Sequence, residues 1–140
     1  MAKIDFDSDI GKRSVARLEN EQVVWLTTTS PSGTPLPTPV WFLWHENAVL
    51  IYSQPDTAKL KAIQRHERVA LNFNSDEHGG NVIILKGAAE IVGKSLPVTS
   101  LPAYLAKYAG GLDSLNMSPE AFAAEYSELI RISPDRLTGF

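Results

Sequence analysis

The chain has 140 residues, 44% of them hydrophobic, no cysteine and a formal net charge of −3. This length favours a single domain over residues 1–140 that buries a core without disulfides. The composition excludes a disulfide scaffold, a thiol nucleophile and a Cys-ligated metal site, and the acidic balance argues against a nucleic-acid partner.

The N-terminal MAKIDFDSDIGKR mixes acids and bases without an apolar run, so it does not read as a signal peptide. No window reaches the apolar length of a membrane span, and a cytoplasmic domain is the expectation. Ser8 to Glu21 predicts a helix capped by Ser8, with Asp9 in its first turn. Val23 to Ser30 predicts a strand, and Pro31-Ser32-Gly33-Thr34 a turn. Pro35 to Trp44 predicts one strand that starts at a sheet edge, because prolines at 35, 37 and 39 remove ladder donors on one side only. His45-Glu46-Asn47 turns the chain into a return strand, Ala48 to Ser53.

Thr57 to His66 predicts a short helix, Arg68 to Asn74 a strand, Ser75 to Gly80 a polar loop, and Asn81 to Val92 a long strand in which Gly87 marks a bulge or a close backbone approach. Pro97 to Ala109 and Ser118 to Ser127 predict helices, the second with Ser118 as N-cap and Pro119 in the first turn. Glu128 to Phe140 predicts strand, Pro134-Asp135 turn, strand. Short turns between strands require antiparallel pairing. Six to seven strands with few helices predict a mainly β fold, an antiparallel, closed or half-closed β-barrel with peripheral helices.

Two stretches carry chemistry. In the first, a strand ends in Ser53-Gln54 and runs through Pro55-Asp56 into a helix bearing Thr57, Lys59 and Lys61. Free amides at a helix start, hydroxyls and an ammonium together suit a phosphate. A solvated amphipathic helix, with Leu60 and Ile63 inward, accounts for the same residues. In the second, Val40-Trp41-Phe42 and Trp44 could wall a flat ring, with the Pro37 and Pro39 carbonyls and the Thr38 amide free to meet polar ring edges. Core packing or a subunit interface accounts for the same aromatics and, on the residues alone, is the stronger reading. Ala88 to Ser95, AAEIVGKS, matches a loose phosphate-loop pattern but reads as strand interior. His45, His66 and His78 show no metal-ligand spacing, and no catalytic triad or carboxylate dyad stands out. Catalytic residues are therefore not expected, and any chemistry belongs to a bound cofactor.

Taken in order, Gly33-Thr34-Pro35, Pro39-Val40-Trp41-Phe42, Ile51-Tyr52-Ser53, Thr57-Ala58-Lys59, Leu60, Ile63 and Arg68-Val69-Ala70-Leu71 resemble the FMN-binding split β-barrel superfamily named for pyridoxamine 5′-phosphate oxidase. Within it the chain is most similar to small deazaflavin-dependent oxidoreductases that use coenzyme F-420. The resemblance implies a homodimer with two cofactor sites at its interface. It implies that Lys59 holds the cofactor phosphate with Ser53, Gln54, Thr57 and Ala58, and that Pro37, Thr38, Pro39, Val40 and Trp41 line the ring. It implies that Asn81 and Val82 reach the same cofactor from the partner subunit. The chain ends Leu137-Thr138-Gly139-Phe140, without the Arg-x-His signature of the pyridoxamine phosphate oxidases, so that activity is not expected.

The expectation is a reductase that passes a hydride from reduced coenzyme F-420 to an electron-poor small molecule. An FMN-dependent oxidase or reductase of the same fold, and a non-catalytic protein that binds a cofactor, haem or another tetrapyrrole, are the alternatives.

Overall fold

Ser8 opens the first helix, α1 (Asp9–Asn20), as the sequence predicts: its Oγ accepts from the Gly11 amide at 3.1 Å, satisfying one of the donors a helix start leaves free. The structure, a computed structural model, describes residues 3–140. After α1 come β1 (Val24–Thr29), β2 (Pro35–Val40), β3 (Leu43–His45), β4 (Ala48–Ser53), α2 (Ala58–Arg65), β5 (Arg68–Asn72) and β6 (Ile83–Gly93). A 3-10 turn at Val98–Ser100 leads to α3 (Pro102–Lys107), α4 (Ala109–Ser114) and α5 (Pro119–Glu125), and β7 (Glu128–Gly139) ends the chain. No helix is long and apolar enough to cross a membrane among the described residues.

The strands form one sheet in the order β2-β1-β5-β6-β7-β4-β3, antiparallel throughout. Its two edges, β2 and β3, are separated in sequence by Trp41 and Phe42 alone. Two linking residues span at most roughly 10 Å between Val40 and Leu43, so the sheet must curl until its edges nearly meet. The edges do not pair, and the barrel stays split at this corner. This is the mainly β split barrel with peripheral helices that the sequence predicts.

Three elements differ from expectation. Pro35 to Trp44 is not one strand, because the Phe42 main chain is engaged by α3: its amide donates to the Tyr108 hydroxyl at 2.8 Å and its carbonyl accepts from Lys107 Nζ at 2.8 Å. Pro97 to Ala109 is not one helix. Pro102 has no amide proton to give a helix interior and instead starts α3, while α4 is a helix that the sequence reading did not anticipate. Pro134-Asp135 is not a turn but a bulge inside a continuous β7. The pairing jumps from Lys86–Arg136 to Gly87–Pro134 and leaves Asp135 as the extra residue. Gly87 is required there, since a Cβ would lie 2.2 Å from the Ser133 carbonyl oxygen. Asp135 accepts from the Arg68 guanidinium at 2.5 and 2.8 Å.

β4 explains how the fold holds two cores. All six of its residues are buried, as in a strand covered on both faces. Val49 and Ile51 point into the barrel with Leu26, Leu71, Ile83 and Leu85. Leu50 and Tyr52 point the other way, into a cap built by α3–α5 through Tyr104, Tyr108, Leu112 and Phe122.

Candidate functional site

β2 pairs Pro35, Pro37 and Pro39 with Thr29, Thr27 and Trp25 of β1. Proline cannot donate, so the ladder bonds belong to Leu36, Thr38 and Val40, and the proline carbonyls face the open edge. The Thr38 amide is therefore consumed against Leu26 and is not free, contrary to the sequence expectation. The Pro37 and Pro39 carbonyls remain available.

A cavity of about 290 Å³ opens beside this edge. Thr38, Pro39, Val40 and Trp41 form one wall, and Tyr52 of β4 and Lys59 of α2 border it. The cap contributes Tyr104, Leu115, Phe122 and Tyr126. Among the described residues, the lining includes no carboxylate and no imidazole.

The Trp41 wall is rigidly backed. Its indole stacks on the Tyr108 ring at 4.5 Å and 8°, and on Phe122 at 5.9 Å and 19°. Phe122 in turn stacks on Tyr126 at 4.4 Å and 13°. Gly111 makes room for the indole, since a Cβ there would come within 2.7 Å of it.

Lys59 is half-buried, and burial lowers the pKa of its ammonium. It has no ion pair or hydrogen bond with any described residue. A cation that has lost part of its water without gaining a counter-charge favours an incoming anion. The α2 start beside it lacks a side-chain cap, because Thr57 Oγ1 faces Ser53 Oγ at 3.0 Å.

The remaining residues expected at the site do not line the cavity. Ser53 is 1% exposed, and its hydroxyl donates to the Gln54 carbonyl at 2.7 Å. Ser53 and Thr57 thus satisfy each other in the turn before α2. Gln54 Nε2 donates to Glu125 Oε1 at 2.7 Å and ties this turn to α5. Pro37 and Ala58 are exposed beside the cavity's Pro39 and Lys59. Asn81 and Val82 belong to another part of the fold. The Asn81 carbonyl accepts from Arg17 at 2.6 Å, and Val82 exchanges main-chain bonds with Phe140 at 2.9 and 3.2 Å.

The sequence points to Asp76 to Gly80 and the segment Leu101 to Phe122 for substrate contacts. Tyr104, Leu115 and Phe122 of that segment do line the cavity, Asp76 to Gly80 does not, and Tyr52 and Tyr126 were not anticipated. A signal existed for four aromatics: Tyr104 and Tyr108, and Phe122 and Tyr126, are spaced four apart, which places each pair on one helical face. The unpartnered Lys59, the outward proline carbonyls and the aromatic lining together fit a planar ring carrying an anionic tail. Redox chemistry here would be supplied by the bound group.

A family profile described as pyridoxamine 5′-phosphate oxidase matches residues 10–139. No curated protein sequence matches the chain significantly. Similar solved structures include an F420 reductase at 22% identity and TM-score 0.70, covering 88% of this chain and 94% of that one. They include a conserved hypothetical protein from Mycobacterium tuberculosis at 16% identity and TM-score 0.71, covering 98% and 88%. The heme storage protein HutZ from Vibrio cholerae is similar at 11% identity and TM-score 0.65, covering 94% and 95%. At these identities the structures share the fold, and fold alone does not carry function. The family profile is a different kind of match, because it runs from α1 to the end of β7, through the split edge and the Lys59 helix alike: the chain belongs to the pyridoxamine 5′-phosphate oxidase family.

Proposed function

We propose that the protein is a reductase that binds coenzyme F-420 and passes a hydride to an electron-poor small molecule, working as a homodimer. The observation that carries this reading is the cavity at the split edge, where an unpartnered, half-buried Lys59 meets the Thr38–Trp41 wall. When bound, the deazaflavin would supply the hydride donor. Lys59 would hold its phosphate as a point charge, aided by the uncapped start of α2. The Pro37 and Pro39 carbonyls would accept from the ring's polar edge, while Trp41, held by Tyr108 and Gly111, would fix its plane and keep water off one side. Ser53, Gln54, Thr57 and Ala58 would act through the shape of the turn that sets α2 in place. Asn81 and Val82, which do not line their own chain's cavity, would serve the partner's site. The similarity to an F420 reductase supports the choice of cofactor.

Fluorescence titration with coenzyme F-420 and with FMN tests the reading. We expect F-420 to bind at tens of micromolar or tighter, and Lys59→Ala to weaken it about tenfold or more, as for a charge-assisted contact. Tight FMN binding with none of F-420 would assign an FMN-dependent enzyme of the same fold. Binding without reduction of any quinone, enone or nitro-aromatic would leave a cofactor carrier. Unchanged affinity in Lys59→Ala would remove the phosphate role altogether.

A further inference from the structure

Two of the chain's four tyrosines have hydroxyls tied to the main chain, and two do not. Tyr52 donates to the Leu96 carbonyl at 2.7 Å. Tyr108 accepts from the Phe42 amide and shares its proton between the Gln22 and Phe42 carbonyls at 2.7 and 2.9 Å. Tyr104 and Tyr126 bond to no described residue, although both border the cavity. Tyr104 is the sharper case, because it is 1% exposed. Buried tyrosine hydroxyls ordinarily find a partner. Among the described residues only Arg13 Nε and Thr28 Oγ1 are sealed from solvent without one. The Tyr104 hydroxyl thus keeps its slight opening, and the open space that Tyr104 borders is the cavity.

The ring itself cannot turn away to find another partner. It stands edge-on to Tyr52 at 5.3 Å and 87°, and packs on Tyr108 at 4.8 Å. Burial raises the pKa of the phenol, so it stays protonated and acts as a donor. The surrounding lining of Val40, Leu115 and Phe122 is apolar. A neutral donor set among these side chains, in a cavity that Lys59 also borders, suits a flat ligand that presents an acceptor oxygen.

We propose that the Tyr104 hydroxyl is the hydrogen-bond donor of an acceptor subsite, holding the oxygen of an uncharged, flat, conjugated carbonyl compound packed against Val40, Phe122 and Tyr126. This deepens the reductase reading and rests on it for its catalytic meaning. A bound deazaflavin or flavin would supply the hydride to the carbon conjugated with that oxygen, and the displaced π pair would move onto the oxygen. Tyr104 stabilises the charge developing there, and a proton from water completes the two-electron reduction.

The test compares two probes of like shape, 1-indanone and indene, on the full chain without cofactor. Binding is followed by ligand-observed NMR in the wild type and in Tyr104→Phe, Tyr126→Phe and Lys59→Ala. We expect the wild type to prefer 1-indanone about three- to tenfold, the worth of one neutral hydrogen bond. Tyr104→Phe should abolish that preference while leaving indene affinity and thermal unfolding unchanged, and Tyr126→Phe and Lys59→Ala should keep it. If the preference survives Tyr104→Phe, is lost instead in Tyr126→Phe, or is absent from the wild type at millimolar probe, the proposal is overturned. Weaker F-420 binding in Tyr104→Phe with an unchanged probe ratio would overturn it too, making the hydroxyl a cofactor contact. Because no cofactor is present, loss of the ratio in Tyr104→Phe supports the subsite even if F-420 fails to bind and the reductase reading falls.

Discussion

Lys107 shows how much a single side chain does at the corner where the barrel splits. Its ammonium donates to the Phe42 carbonyl and stands 3.6 Å from the centroid of the Phe42 ring, two contacts that favour its charge. Burial outweighs them and lowers its pKa from 10.5 to about 8. Between those values the unfolded chain binds more protons than the folded one, so stability rises with pH. Tyr52, pushed up to about 12 by burial, and the still more deeply buried Tyr104 and Tyr108 act with the opposite sign once unfolded tyrosine begins to ionise near 10. Unfolding free energy should therefore climb from pH 8 toward pH 10 and then level or fall. Urea melts across that range should show the climb in the wild type and a flatter profile in Lys107→Met. An equal slope in both would exclude Lys107 as its source. Lys59 and Tyr104 differ from Lys107 in this respect: their polar atoms bond to no described residue, which is why the functional proposals rest on them.

Among the elements, the β6–β7 ladder is the one most sensitive to a small change. The bulge at Asp135 is offset by a second register shift between Ile91 and Gly93, so that Ile83–Gly93 and residues 129–139 stay paired, and it turns Asp135 to Arg68 of β5. The Arg68 hydrogen bond holds the Asp135 carboxyl below its usual pKa. The Gly87 backbone passes so close to Ser133 that any side chain would push the strands apart. Gly87→Ala should cost about 1–3 kcal/mol, as overpacking does, and lower the urea midpoint without changing the m-value. Gly110→Ala is the matched control. Nothing lies within 4 Å of a Cβ at Gly110 in α4, so this change should be neutral or stabilise by about 0.5–1 kcal/mol. Equal losses in both variants would deny Gly87 its special place. The sequence marked Gly87 correctly, but it also suggested a turn at Pro134-Asp135. Both signals came from one bulge, seen from its two strands.

At the scale of the whole molecule, the cavity at one chain's split edge is bordered by β2, β4, α2 and the cap, while Asn81 and Val82 are held elsewhere by Arg17 and Phe140. If both sets serve one cofactor, two chains must meet. The protein should then sediment at twice the chain mass at micromolar concentration, and dilution into the monomer range should weaken cofactor binding; a monomer with full affinity would separate Asn81 and Val82 from the site. Strand alternation, turn residues and the alternate prolines made most of the sheet legible, including the edge position of β2, because each is a local consequence of backbone chemistry. The Lys59 helix was legible as an anion-binding candidate for the same reason. What local pattern could not tell was which of two faces a buried residue would meet. Tyr52 and Ile51 look alike in the run AVLIYS, yet one faces the cap and the other the barrel. The sequence by itself determined most of the strands, the edge and the cationic helix. Only the tertiary structure decided that α3–α5 fold back over Trp41, leave Lys59 and Tyr104 on one cavity, and turn Ser53, Thr57 and the Thr38 amide away from it, because those outcomes depend on contacts between residues up to about 70 positions apart, which no local propensity encodes.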